Sequence, residues 1–322
     1  MGLCLGYESA LRYWLTKQEG EAIPDVVDTG LFAYAEANAR LVRQEGLPVS
    51  PEVGRPLQLV IPYVAGKHRI DNTCVHVCQT ELPEGSFRRL GGDALVSSPE
   101  LTFLQMAVGK TLWETVELGC YLCSTFAISD RGRDYVCKRD QLVTLDDLRR
   151  YLDRLPPHTY GARRARRALR YVVEATASPM EVQFAMHFGM PPDLGGRGPL
   201  AISANQIIQI DEHAQRLLDT SYLRGDLFLP DYQSDLEFDS EAFHTGRFRL
   251  DHTQARRNVL EAMQVKTISA TQGQIGTLKK FDDFVWLLEK RIGREHLEPT
   301  PRQRSLQVNL FAWLNDRRRT LF

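Results

Sequence analysis

Between Arg224 and His244 the chain sets out four side chains suited to a divalent cation and a reacting water: Asp226, Glu237, Asp239 and His244. Asp226 lies in a run with β character (Tyr222, Leu223, Leu227, Phe228, Leu229). A turn rich in Pro, Asp and Ser follows, and Leu236 to Asp239 then alternate apolar and acidic residues, as a half-buried strand does. In an antiparallel pair joined by a short loop, residues on one face come close together. Asp226 and Glu237 are therefore expected to point into one small volume from neighbouring strands. Two carboxylates held there repel unless a cation lies between them or one takes a proton. Oxygen ligation of Mg²⁺ or Mn²⁺ by Asp226 and Glu237, with the Phe238 carbonyl as a third donor, is the simplest resolution. The plainer alternative is that the acids end their strands and face water, and acid spacing alone leaves both open.

The order of residues is longer than that pair. Arg224, Asp226, Pro230, Glu237, Asp239, Phe243 and His244 fall in a pattern that resembles the very-short-patch-repair-like endonuclease domain, a branch of the PD-(D/E)xK nuclease superfamily. The resemblance covers about residues 178 to 275. It implies a restriction-endonuclease-like mixed sheet flanked by helices, and a metal-dependent DNA endonuclease acting by phosphodiester hydrolysis. Asp226, Glu237, Asp239 and His244 would carry the chemistry, with Glu181 near the metal. His244 would reach the attacking water or the leaving oxygen, a task that suits an unperturbed pKa near 6.5. Arg224, Arg256 and Arg257 would fix the DNA backbone or pair with the acids, and Asn258 completes an Arg-Arg-Asp/Asn pattern. Two positions depart from the pattern. Asp239 stands where the superfamily has lysine, as it does in the related branch, and Ser240 stands where glycine is usual. The nuclease core shows no Cys-x-x-Cys and His zinc arrangement, so mismatch-specific repair does not follow.

The elements that must hold these residues can be followed along the chain. Ser178-Pro179-Met180-Glu181 reads as a helix start, with Ser178 as cap and Glu181 reaching back to the cap amide. The loop 189–198 is rich in Pro and Gly. Residues 200–210 alternate and make a first strand, ahead of the strands of Asp226 and Glu237. A polar crossing at 245–249 leads to a helix over 250–263, a strand over 265–270 and a turn over 271–275. Amphipathic helices at 281–291 and 303–314 follow. The Arg317–Arg319 run reads as a solvated tail or a DNA contact.

Upstream, residues 1–46 read as helical and 57–64 and 73–79 as strands. Residues 82–92 are turn-rich, and 94–96 form a short strand. Ser98-Pro99-Glu100 is a helix start with Pro in the first turn. This stretch, with Thr102, resembles the C-terminal domain of AbiEi-type antitoxins, which implies a regulator-like first domain and a cognate toxin or partner protein. A generic α+β module with a capped helix accounts for the same residues. Thr144 to Leu155 forms a short helix that Pro156-Pro157 ends, and the domain boundary is placed there. Residues 1–157 make a smaller α+β domain, and 158–322 the nuclease-like one. Arg163, Arg164, Arg166, Arg167 and Arg170 then fall in a helix over 162–177. Positions 163, 166, 167 and 170 share one face, a stripe able to grip successive phosphates or to stay solvated.

Bulk properties narrow the classes. Net charge is −1 with a sequence pI of about 6.7, so DNA binding has to come from a local basic patch. No run approaches a membrane span and no signal-peptide pattern opens the chain, so the expectation is a cytoplasmic protein. Cys74, Cys78, Cys120 and Cys123 could together supply four zinc thiolates. The first pair, with His76, also reads as one face of a strand, and the second as small core residues of a helix.

Overall fold

The computed structural model describes residues 2–44, 46–52, 54–130, 132–239, 247–316 and 318–321, with the side chains of 44, 239 and 247–253 left out. The chain is a mixed α+β protein that divides into two compact units. Unit 1 is Met1–Val172 with Arg319–Phe322, and unit 2 is Val173–Arg318. The division falls beyond the Pro156-Pro157 break expected from sequence. The helix after that break packs with the helices before it, so the arginine-rich segment belongs to unit 1.

Unit 1 contains Cys4–Leu5 (β1), Tyr7–Thr16 (α1), Ala39–Gln44 (α2), Leu57–Ile61 (β2), Thr73–Val77 (β3), Phe87–Gly91 (β4) and Ala94–Ser97 (β5). Next come Pro99–Ala107 (α3), Leu112–Leu122 (α4), Phe126–Ile128 (β6), Tyr135–Lys138 (β7), Leu145–Asp153 (α5) and Ala162–Ala168 (α6). Its five-stranded sheet runs β3-β2-β1-β5-β4, and β6 and β7 pair separately. The opening residues are therefore not all helical: Cys4 and Leu5 form the central strand. Two buried residues are too few to show alternation, and the helical period begins only at Tyr7. The turn-rich stretch likewise hides β4, an edge strand carrying Arg88 and Arg89, residue types that protect an edge from further pairing.

The helix starts follow their sequence signals. The Ser98 hydroxyl accepts from the Leu101 amide at 3.2 Å, and Thr144 and Asp147 form a reciprocal capping box. The arginine-rich helix is shorter than expected, ending at Ala168 rather than 177. The Tyr171 amide turns back to the Ala168 carbonyl at 2.9 Å, and Ala175 has φ 60°, which no helix accommodates. The C-terminal tail is tied down: Glu117, fully buried, takes the Arg319 guanidinium on both oxygens at 2.7 Å and Arg133 at 2.6 Å. Arg319 is thus engaged within unit 1, and Arg318 pairs with Asp316.

Unit 2 runs Pro179–Gly189 (α7), Ser203–Gln209 (β8), Glu212–Leu218 (α8), Tyr222–Leu229 (β9), Ser234–Asp239 (β10), Arg247–Ala262 (α9) and Lys266–Thr271 (β11). It closes with Gln272–Ile275 (α10), Leu278–Ile292 (α11) and Pro301–Asn315 (α12). The four-stranded sheet has the order β11-β10-β9-β8, with β10–β11 parallel and the other pairs antiparallel. α8 was not expected from sequence, although Asp211 caps it by accepting from the Ala214 amide. α9 also starts earlier than 250, inside the segment read as a polar crossing.

Two apolar clusters hold this sheet. One joins Leu227, Leu229 and Leu236 to Phe184 and Phe188 of α7 and to Phe281, Phe284 and Leu288 of α11. The other joins Ile208 and Leu223 to Leu218 of α8 and Leu260 of α9, with Phe228 against it. Leu227 and Phe228 are consecutive in a strand and face opposite ways, so the clusters lie on opposite faces of the sheet.

Candidate active site

Facing along β9 changes at the site. Leu223 and Leu227 are four residues apart and should share a face, yet they belong to different clusters; their partners Ile208 and Ala204 divide in the same way. Between them the β8–β9 ladder skips Asn205 and Asp226, and Asn205 has φ 51°. An Asn accepts that left-handed conformation more readily than most residues. A local irregularity of this kind re-aims a side chain. It takes Asp226 out of the regular ladder of β8 and β9.

Asp226 and Glu237 adjoin the last pair of the β9–β10 ladder, Leu227 with Leu236. Asp226 Oδ2 accepts a hydrogen bond from the Phe238 amide at 3.1 Å, which holds its carboxylate against the backbone just past Glu237. From α9, Arg256 Nη2 donates to Glu237 Oε1 at 2.6 Å and to the Arg224 carbonyl at 2.6 Å. One guanidinium thus ties both strands.

Asp235 was not singled out from sequence, and it is the most constrained acid of the group. It is 0 % exposed, and neither carboxylate oxygen has a hydrogen-bond partner among the described residues. Arg256 Nη2 stands 3.7 Å from Oδ2, beyond hydrogen-bonding range. A Cβ on residue 225 would fall 2.4 Å from Asp235 Oδ1, so Gly225 provides the space the carboxyl occupies. Burial first, then the charges of Glu237, Asp226 and Glu181, push the Asp235 carboxyl up to about 8, while Arg256 opposes them. The signal was present in sequence: Asp235, Glu237 and Asp239 alternate on one face, but alternation does not say how deeply that face is buried.

Glu181 completes the group from α7. It serves as a cap, in a variant of the expected form. Its Oε2 accepts from the Ala177 amide at 2.8 Å, rather than from the Ser178 amide, and the Ser178 hydroxyl donates to Oε1 at 2.9 Å. Asn205 Nδ2 donates to the Ala175 carbonyl at 2.6 Å and more weakly to Glu181 Oε2 at 3.4 Å, linking the irregular position of β8 to this helix start. Burial, with the Asp226 charge adding to it, pushes Glu181 up to about 7 against the hydrogen bonds that lower it. Cap and site member are one residue.

The remaining expected residues divide. Arg257 Nη2 donates to Ser269 Oγ at 3.0 Å. The Arg224 guanidinium lies over the Tyr222 ring, 5.5 Å from its centroid. The Asp239 backbone pairs with Thr271, while its side chain, Phe243 and His244 lie outside the described residues. Hard oxygen donors, one of them a buried carboxylate that makes no hydrogen bond to the described residues, fit Mg²⁺ or Mn²⁺ by donor chemistry. Among the described residues, however, no three His, Cys, Asp or Glu side chains are grouped to hold a metal ion. Cys120 and Cys123 are buried thiols at the end of α4, and Cys74 is exposed on β3.

In unit 1, Arg163, Arg164, Arg166, Arg167 and Arg170 line one open groove of about 1030 Å³, beside His158 and Tyr160. Arg170 reaches it from beyond the end of α6, not from a shared helix stripe. Arg164 caps the end of α3 through the Ala107 and Val108 carbonyls, and Arg166 donates to the Leu152 carbonyl at 2.5 Å. Among the described residues no helix is long and apolar enough to cross a membrane. No protein-family model matches the chain, and neither the curated proteins nor the solved structures give a match.

Proposed function

We propose that unit 2 is a metal-dependent DNA endonuclease with a restriction-endonuclease-like sheet, of the very-short-patch-repair-like type. The observation that carries this is the clustering of Asp226, Glu237, Glu181 and the buried Asp235, two of them paired with Arg256. Four carboxylates in one patch repel, and a structure that retains them has a use for their charge. Two of them are held toward the protonated form near neutral pH, so cation binding would release protons.

A bound Mg²⁺ or Mn²⁺ supplies charge neutralisation at the phosphate and a bound water of lowered pKa. The chain's own groups do the rest. Asp226 and Glu237 would hold the ion, and the Phe238 amide fixes the Asp226 carboxylate. Arg256 keeps Glu237 aimed and offsets the negative charge that a phosphodiester must approach. Glu181, by accepting a proton near neutral pH, is suited to take one from an attacking water. Asp239 and His244 fall at positions where the family resemblance places further catalytic groups.

Incubation with plasmid DNA and Mg²⁺ or Mn²⁺ is expected to yield nicks that vanish in Glu237→Ala and on chelation. Equal behaviour of wild type and variant over supercoiled, linear and single-stranded DNA refutes the proposal.

The groove of unit 1 favours a second reading: a DNA-binding regulator, antitoxin-like in its first unit and acting with a cognate partner, that keeps unit 2 as an inactive platform. That reading expects salt-sensitive DNA binding that survives Glu237→Ala. Neutralising Arg163, Arg166, Arg167 and Arg170 together would abolish it.

A further inference from the structure

Beside the acids, at the β11 edge of the sheet, lies a cavity of about 610 Å³ between α9, β11 and the end of α11. We propose that it is a phosphate subsite, which seats a backbone phosphate of the nucleic-acid strand one β-strand away from Glu237. The assignment rests on the nuclease reading of unit 2 for its substrate, though not for its cations.

Charge comes first. Arg257, Lys266 and Arg291 line the cavity against one acid, Glu261. Arg257 is oriented by its bond to Ser269 Oγ. Lys266 Nζ donates to the Arg291 carbonyl at 3.2 Å, which uses one of its three hydrogens and sets the ammonium at the cavity wall.

Register comes next. β10 and β11 pair Asp235 with Thr267 and Glu237 with Ser269. Paired residues of neighbouring strands project from the same face, about 5 Å apart. The two cavity hydroxyls are therefore the direct neighbours of two site carboxylates. A strand whose scissile phosphate meets Glu237 brings an adjoining phosphate over this cavity.

The cations also explain how an acidic patch can accept DNA at all. The carboxylates repel a phosphodiester, and the positive cavity next to them supplies the attraction that keeps it there.

The test is fluorescence anisotropy of a labelled DNA duplex, without divalent metal, across a chloride series. Wild type, Lys266→Gln/Arg291→Gln and Glu237→Ala are compared. Lys266 and Arg291 are exposed, so folding is retained and is checked by circular dichroism.

The double variant is expected to bind at least fivefold more weakly, and its log-affinity against log-salt slope should be smaller by about 0.9, the share of one phosphate contact. An unchanged affinity and slope in the double variant overturns the subsite. So does the case in which inorganic phosphate binds wild type but not the double variant while DNA affinity is equal, since the cavity then takes only a free anion. Cleavage by Glu237→Ala, run alongside, judges the hydrolytic reading separately: its loss or persistence leaves the salt slopes to decide the subsite.

Discussion

Gly225→Ala tests the packing of the acidic site most directly. The three atoms nearest to a Cβ at this position all belong to the Asp235 carboxyl: Oδ1 at 2.4 Å, Cγ at 2.7 Å and Oδ2 at 2.8 Å. Asp235 is fully buried, so the carboxyl has no open side to swing into. Two effects compete. Alanine restricts the unfolded chain and favours folding by about 0.4–1 kcal/mol. Overlap with a packed neighbour destabilises by about 1–3 kcal/mol. The overlap is severe, so the second effect wins, and unit 2 should lose about 1–2 kcal/mol. The same change in an Asp235→Ala background removes all three clashing atoms, so there it should be neutral or mildly stabilising. The two sites should therefore couple by about 2 kcal/mol. Urea unfolding followed by amide-exchange mass spectrometry on β9 and β10 peptides reads unit 2 alone. A Gly225→Ala protein as stable as wild type, or one that Asp235→Ala fails to relieve, refutes the claim that Gly225 exists to admit this carboxyl.

Other expectations follow from buried ionisable groups. His187 is buried on α7 with its ring 4.5 Å from that of Phe281, and burial, with Arg197 adding to it, pulls its pKa down to about 3. Its folded value lies below the unfolded one near 6.5, so its contribution is intact above about pH 6.5 and is lost as pH falls toward 3. The loss exceeds about 1 kcal/mol for each pH unit, and the difference between wild type and His187→Gln in pH-dependent urea unfolding isolates it. Glu117→Ala leaves Arg133 and Arg319 facing a buried void and should destabilise unit 1 by about 3–5 kcal/mol; a shift in unfolding below about 1 kcal/mol would contradict that role. Arg256→Ala removes the guanidinium that ties Glu237 to β9, so metal-dependent nicking should fall at least tenfold while the fold persists. Plasmid cleavage measured beside circular dichroism checks both halves.

Local sequence determined much of this protein. The serine and threonine caps at 98, 144 and 178, the strands of Asp226 and Glu237, and the helices after β11 follow from side chains within a few residues of one another. The antiparallel pairing of the strands that carry Asp226 and Glu237 was also legible, because a short hairpin connection leaves little freedom of register. What local pattern could not supply was depth and direction. Alternation marks the face of Asp235 but not the neighbours that close over it. The change of facing at Asn205 and Asp226 breaks the period on which the reading depends. β1 is invisible locally because two residues become a central strand only through partners far along the chain. The arginine-rich segment was clear as composition, yet contacts with α3, α4 and α5 decide which unit owns it. Side-chain type and spacing are properties of the chain, whereas burial, and with it the charge state of Asp235 and Glu181, is set by elements brought together only on folding.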